Sequence, residues 1–149
     1  MSFNYSVHKL QGTVQHYSWG GASFLPKLLS IENPNHKPFA EYWLGIHAGG
    51  PASIEVNQHA VLLSDAIATD PKAALSEPVF NHFGGLPYLF KVLDVKDMLS
   101  IQVHPTKEEA AKGFEREEAA GIPIDAPHRN YKDRNHKPEM MIALSDFWL

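Results

Sequence analysis

Polar and apolar side chains alternate in one short segment of the chain, LSIQVH at residues 99–104. Successive side chains of a β-strand point to opposite faces, so the three aliphatic residues would share one face suited to a core. Ser100, Gln102 and His104 would share the other face, with a hydroxyl, an amide and an imidazole in a row. Pro105 ends the strand because it has no N–H to donate to a ladder. We therefore predict a half-buried strand whose exposed face carries polar groups able to bind a ligand or a metal.

Other segments predict a mixture of strands and helices around this one. Further strands are predicted at residues 41–46, 53–56, 88–93 and 139–144, with 88–93 paired to 99–104. Helical segments are predicted at about 62–80 and 106–120, the second opened by a capping box of Thr106 and Glu109 and ended by Gly121. The charged residues of this second helix are interpreted as a solvated face. The predicted fold class is mainly β with helices (α+β).

Composition and charge narrow the classes of function. The 149 residues carry 13 basic and 17 acidic side chains, a net charge of −4 with three arginines, which gives no support for binding nucleic acid or an anionic membrane. No apolar run approaches the roughly 18 residues needed to span a bilayer, and the polar first 15 residues lack a signal-peptide core. The absence of cysteine excludes disulfides and thiolate metal sites. We expect a soluble, cytoplasmic protein whose nine histidines are candidates for site chemistry.

Three side chains from two predicted strands are candidates to share one divalent cation. Gln102 and His104 are two residues apart on the polar face, and Pro138 keeps the chain extended so that Glu139 enters the following strand. Amide, imidazole and carboxylate groups are all plausible metal donors, and a single carboxylate leaves a divalent site net positive. The alternatives are a solvated strand face for Gln-x-His and an exposed turn for His-Lys-Pro-Glu.

Four further residues are candidates for contacts to a small anionic or sugar ligand. Lys91 and Lys137 are suited to hold a dianionic phosphate as point charges. Trp19, beside two glycines, is suited to wall a sugar pocket, and Glu41 is an acid at the edge of an apolar strand. The alternatives are a lysine that extends to solvent, a tryptophan in the core and an edge charge.

Five segments resemble the type I mannose-6-phosphate isomerase family in order and spacing. They are residues 17–20, 40–47, 86–93, 99–105 and 131–139. The pair Gln-Val-His-Pro and Asn-His-Lys-Pro-Glu is far more specific than either motif alone. The resemblance implies a cupin-type β-sandwich or jelly roll with a helical insertion. It also implies that the whole chain, residues 1–149, is the N-terminal catalytic part of a larger two-cupin protein. The aromatic end of the chain likewise indicates a fragment.

The resemblance also implies an activity and a cofactor. The activity is the interconversion of mannose 6-phosphate and fructose 6-phosphate, with one zinc ion. The family's metal ligands map onto Gln102, His104 and Glu139, and a fourth, a histidine further along, would lie beyond this chain. The positions that line the family's substrate pocket map onto Trp19, Glu41, Lys91, Ser100, His136 and Lys137.

Lys137 and His136 are the candidates for proton transfer, because burial or nearby charge can tune both residue types toward neutral pH. A non-catalytic sugar-binding cupin module is the alternative. A metal-dependent hydrolase or oxygenase fits less well, because oxygenase sites favour two histidines and a carboxylate around iron. Without the fourth ligand, the 149-residue chain is expected to bind zinc weakly and to show little isomerase activity.

Overall fold

The computed structural model describes residues 7–146 of the chain. The chain divides into two compact units, one up to Leu99 and one from Ser100 onward, called here the first and second unit. The aromatic end at residues 147–149 lies outside the described residues. Between residues 7 and 146, no helix is long and apolar enough to cross a membrane.

Two three-stranded antiparallel sheets form the first unit. One sheet has the order β1 (Leu10–Gln11), β4 (Ser53–Val56) and β5 (His59–Leu62). The other has the order β2 (Thr13–Gln15), β3 (Glu41–Leu44) and β6 (Phe90–Leu93). The predicted strand at 53–56 is present over its full length, and those at 41–46 and 88–93 are present in shortened form. The strands β1, β2 and β5 were not predicted as separate strands, because each is only two to four residues long.

The turn between β4 and β5 explains the register of that hairpin. Val56 pairs with His59, so Asn57 and Gln58 form a two-residue loop. Both have positive φ, 50° and 66°, as the type I′ turn of a tight hairpin requires. The twist of this turn matches that of the two strands, and the hairpin closes without a longer loop.

The predicted helical stretch 62–80 is divided into three short helices. They are α2 (Leu63–Thr69), α3 (Pro71–Leu75) and α4 (Glu77–Phe83), and α1 (Phe24–Leu29) precedes them in the chain. The residue before a proline avoids helical dihedrals, so Asp70 is extended and ends α2. The Asp70 carboxylate accepts a hydrogen bond from the Ala73 N–H and thereby caps α3.

Helix α5 (Lys107–Ala119) dominates the second unit. The predicted capping box is present: the Thr106 hydroxyl accepts from the Glu109 N–H, and the Glu109 carboxylate accepts from the Thr106 N–H. Gly121, with φ of +67°, follows the end of the helix as predicted. Both signals are local hydrogen-bonding patterns, which explains why the sequence predicts them well.

The predicted strands at 99–104 and 139–144 are wrong, because neither segment forms a ladder in this structure. Their aliphatic side chains lie in solvent: Ile101 is 99% exposed and Leu144 is 87% exposed. Alternation predicts which face a strand would bury, but a strand also needs a neighbour to complete its hydrogen bonds. Among residues 100–146 no such neighbour is present. The predicted pairing of 88–93 with 99–104 is also wrong, since β6 pairs with β3.

Candidate metal and substrate site

Glu41 and Lys91, two of the predicted substrate residues, form an ion pair in the first unit. Glu41 is 8% exposed, and its Oε2 lies 3.6 Å from the Lys91 Nζ. Trp43 completes the cluster: its Nε1–H donates to Glu41, and its ring lies 5.4 Å from Lys91 Nζ. The register of β3 and β6, which places Trp43 opposite Lys91, brings the three side chains together. Lys91 is therefore held by a buried acid and does not simply extend to solvent.

Trp19 stacks on Tyr17 instead of plugging the core. The ring centroids are 5.7 Å apart with an angle of 24° between planes, and Trp19 is half-buried. Burial, and secondarily the charge of Glu41, raises the pKa of the Tyr17 hydroxyl above its usual range. The backbone carbonyl of Trp19 accepts from the N–H groups of Lys96 and Asp97, which fixes the aromatic pair to the end of β6. This arrangement forms a partly open aromatic platform.

Sequence reasoning did not name Tyr17 or Trp43 as site residues. A signal was present for Trp43. Trp43 follows Glu41 on the same strand, so alternation already places both on one face. The spacing of Tyr17 and Trp19 has no such reading, since they lie in a turn.

Gln102 and His104, the first two predicted metal ligands, are exposed in the segment before α5. His104 contributes to the rim of a groove along this helix. The groove is lined by Val103, His104, Pro105, Glu109, Lys112, Gly113, Arg116 and Tyr131. His104 thus lies beside α5 and beside Tyr131, where the segment toward the Asn-His-Lys-Pro-Glu motif begins.

His136, Lys137 and Glu139 lie in the irregular segment after Tyr131, and all three are exposed. The Lys137 Nζ lies 3.8 Å from Asp133 Oδ2. Such an exposed pair, four residues apart, contributes little to stability. Ser100, the remaining predicted substrate residue, is exposed at the start of the second unit.

The donor chemistry of the second unit fits a zinc ion. Within the described part of the chain, no group of three or more His, Asp or Glu side chains is arranged to hold a metal. The predicted set contains only two such side chains, His104 and Glu139, and its third donor is the amide of Gln102. All three are exposed in one compact unit, so an ion can reach them. Imidazole and carboxylate are ordinary zinc ligands, and an amide oxygen is a compatible third donor.

Two charged side chains of the second unit are buried. In the sequence analysis, all charged residues of α5 are interpreted as a solvated face. Glu117 on α5 is 6% exposed and Arg129 in the following loop is 4% exposed. The interpretation of α5 as bearing only a solvated charged face is therefore wrong at Glu117. Its partner lies 12 residues further along the chain, and helical periodicity alone does not reveal such a contact.

Comparison with known proteins identifies the family. A family profile described as phosphomannose isomerase type I, catalytic domain, matches residues 7–149. The chain belongs to this family. The mannose-6-phosphate isomerase of Salmonella typhimurium is 49% identical over 142 residues, which are 95% of this chain and 36% of that protein. The human mannose-6-phosphate isomerase is 40% identical over 150 residues, covering 95% and 33%. The chain spans about a third of the length of these relatives.

Solved structures give the same family and confirm the predicted fold class. A zinc-bound mannose 6-phosphate isomerase superposes with a TM-score of 0.79 at 49% identity, covering 87% of this chain and 33% of that chain. The Salmonella typhimurium enzyme bound to fructose 6-phosphate and zinc superposes with a TM-score of 0.78 at 50% identity, with the same coverage. The chain is therefore a cupin-type α+β structure that corresponds to one part of a phosphomannose isomerase. The assignment of residues 1–149 as one catalytic domain stays a prediction.

Proposed function

We propose that this protein is a zinc-dependent aldose–ketose isomerase that interconverts mannose 6-phosphate and fructose 6-phosphate in the cytoplasm. The observation that carries the proposal is the family match over residues 7–149. Relatives in bacteria and animals that share 40–49% identity with the chain are named mannose-6-phosphate isomerases. The Gln-Val-His-Pro and Asn-His-Lys-Pro-Glu motifs lie within the matched region.

The proposed metal ligands are Gln102, His104 and Glu139, with a fourth ligand from outside this chain. When bound, zinc supplies positive charge for the enediol oxygens that become negative during isomerisation. The single carboxylate of Glu139 would leave the site net positive, which suits stabilisation of an anion. The exposed positions of all three side chains leave them accessible to the ion.

The proposed substrate residues are Trp19, Glu41, Lys91 and Ser100. Lys91 and Ser100 supply a cation and a hydroxyl for the phosphate. Because Glu41 already neutralises Lys91 in the first unit, Lys91 provides a positioned hydrogen-bond donor more than a net charge. The Trp19 ring offers an apolar face to the sugar carbons.

Lys137 and His136 are the proposed proton carriers. The reaction moves a proton between C2 and C1 of the open-chain sugar and a second proton between the two oxygens. An amine and an imidazole, adjacent in sequence and exposed to a ligand, are suited to these two transfers. The proposal does not depend on which of the two takes the carbon-bound proton.

The test is a coupled assay of fructose 6-phosphate formation from mannose 6-phosphate by the full-length gene product. Lys137→Met should lower kcat by about 100-fold or more, as expected for the loss of a general acid or base. Lys132→Met removes another exposed lysine of the same segment and should leave kcat unchanged. Equal activity of the two variants would contradict the role of Lys137. Sugar-phosphate binding with no turnover by the zinc-loaded wild type would instead identify a non-catalytic sugar-binding module.

A further inference from the structure

In the described part of the second unit, Glu117 and Arg129 form a buried ion pair. Both side chains bind backbone groups of the loop that leads to the Asn-His-Lys-Pro-Glu motif at residues 135–139. Glu117 on α5 faces Arg129, with 3.8 Å between Glu117 Oε2 and Arg129 Nε. Removing two charges from water is costly, and the hydrogen bonds that each side chain makes offset this cost. The contacts of each side chain show which geometry is held.

Glu117 holds the N–H groups of two consecutive loop residues. Its Oε2 accepts from the Tyr131 N–H at 2.8 Å, and its Oε1 accepts from the Asn130 N–H at 3.2 Å. The Asn130 side-chain amide also donates to Oε1, at 3.4 Å. These hydrogen bonds, with that from Tyr131 as the main cause, hold the pKa of the Glu117 carboxyl below its usual range. The carboxylate is therefore charged at neutral pH and uses both oxygens to bind the loop.

Arg129 holds the carbonyl groups on either side of the same loop. Its Nε donates to the Tyr131 carbonyl at 2.8 Å, and its Nη1 donates to the carbonyl of Ile122 at the start of the loop. Its Nη2 lies 2.6 Å from Glu118 Oε1, and its guanidinium carbon lies 5.0 Å from the Phe114 ring centroid. A planar guanidinium with several fixed donors suits this task, which a lysine ammonium cannot reproduce.

Tyr131 is consequently fixed at three places, two of them on α5. Its N–H is bound by Glu117, its carbonyl is bound by Arg129, and its ring packs against Gly113 of the helix. A Cβ at Gly113 would lie 2.5 Å from the ring, so only glycine permits this approach. Glu139 follows Tyr131 by eight residues, and the loop between them carries His136 and Lys137.

The Gln-Val-His-Pro motif at residues 102–105 leads directly into the same helix. His104 precedes by two residues the Thr106 cap at the start of α5, and it lines the groove that Tyr131 also lines. Both segments that carry predicted metal ligands therefore leave from fixed points on α5, one at its capped start and one at Glu117.

We propose that Glu117 and Arg129 are positioning residues for the metal site, which hold the segment after Tyr131 against α5 so that Glu139 and His104 can bind one ion. This inference rests on the proposed function, because it assigns a role toward the zinc site. Neither side chain touches metal or substrate in this role. Their effect is transmitted through the backbone of Asn130 and Tyr131.

The experiment compares Glu117→Gln and Arg129→Lys with Glu118→Gln in the full-length gene product. Glu118→Gln is the matched control, because Glu118 also pairs with Arg129 yet is half-exposed and binds no backbone group of Asn130 or Tyr131. Two properties are measured without reference to turnover. They are the affinity for Co²⁺ or Zn²⁺ by competition with a chelator, and the visible spectrum of bound Co²⁺, which reports ligand geometry.

Glu117→Gln and Arg129→Lys should lower metal affinity by up to about 10-fold and should alter the Co²⁺ spectrum. The effect is at the low end of the loss on removing a direct partner of a ligand, because these two side chains act through the backbone. Glu118→Gln should retain the wild-type affinity and spectrum. Hydrogen exchange of the metal-free variants should be faster at residues 130–139 and unchanged within α5, which shows that the variants remain folded.

Faster exchange at residues 130–139 combined with wild-type affinity and spectrum would overturn the inference, because the pair would then be merely structural. A variant that also loses protection in α5 is replaced by Asn130→Ala, which removes only the Asn130 side-chain hydrogen bond to Glu117 and should shift the spectrum in the same direction. An unchanged spectrum there would count against the inference. Failure of the proposed function is distinguishable: the wild type would bind no metal, or Glu139→Gln would bind it equally well.

Discussion

Different kinds of contact stabilise each of the two units internally. In the first unit, backbone ladders join β3 to β2 and β6, and β4 to β1 and β5. In the second unit, charged side chains bind backbone groups, as Glu117 and Arg129 do around Tyr131. A ladder spreads its stabilisation over many peptide groups, whereas the second arrangement concentrates it in two side chains. Single substitutions and pH should therefore affect the second unit more.

Arg129→Met should have the largest effect on stability. It leaves the Glu117 carboxylate buried without its partner, and breaking a buried pair in this way costs about 3–5 kcal/mol. The measurement is the free energy of opening from hydrogen exchange of α5 amides. The control is Arg134→Met, which removes an exposed arginine 3.8 Å from Glu115 and should cost little. Equal protection in the two variants would show that the second unit does not depend on this pair.

Leu25→Ala should give the largest effect of an apolar substitution in the first unit. Leu25 is fully buried in α1, and truncating a buried leucine costs about 3 kcal/mol. Urea unfolding followed by tryptophan fluorescence suits this measurement, since Trp19 and Trp43 both belong to the first unit. Leu28→Ala, in the same helix but 55% exposed, is the control and should cost much less. A similar loss from both would place the core elsewhere.

Acid should weaken the second unit more than the first, but less than Arg129→Met does, because a protonated Glu117 still occupies its place. The folded-state pKa of Glu117 lies below the unfolded value of about 4.3, so its contribution is fully present above that pH and is lost as pH falls through the folded pKa. Exchange-derived opening energies between neutral pH and pH 3 check this. Glu117→Gln should remove most of the difference between the units, and an unchanged difference would exclude Glu117 as its source.

Thr106→Ala should have a smaller effect at the start of α5. It removes the hydroxyl that accepts from the Glu109 N–H, and the loss of such a cap costs about 1 kcal/mol. Thr106→Ser keeps the hydroxyl and should retain most of the stability. Exchange rates of the first-turn amides report the difference, and equal rates in the two variants would show that the cap is dispensable.

Gln58→Gly should produce the smallest change, and it should be stabilising. Gln58 has a φ of 66° in the β4–β5 turn, a conformation that costs a side chain about 1 kcal/mol and that glycine adopts freely. The entropy of the added glycine offsets part of this, so the expected gain in unfolding free energy is about 0.5 kcal/mol. Gln58→Ala keeps the strain and is the control. A loss of stability on Gln58→Gly would show that the turn is not strained.

The predicted site residues show how far sequence reasoning reached. The sequence motifs predicted Gln102, His104 and Glu139 as metal ligands. This prediction needs only the residue types, because the donor atoms belong to the side chains themselves. The strand geometry assumed for them is wrong, since no ladder forms at 99–104 or 139–144 in the described residues. The ion pair of Glu41 with Lys91 was not predicted either, because it depends on a pairing between strands almost 50 residues apart.

Local hydrogen bonds account for what the sequence by itself determined. The start of α5 at Thr106, its end near Gly121 and the break at Asp70 each depend on partners within a few residues, so composition and spacing specify them. Tertiary structure alone decided the pairing of β3 with β6 and the burial of Glu117 against the loop 14 residues away at Tyr131. Several distant groups could serve as the partner in each of these contacts. The pattern of residue types along the sequence does not specify which of them is chosen.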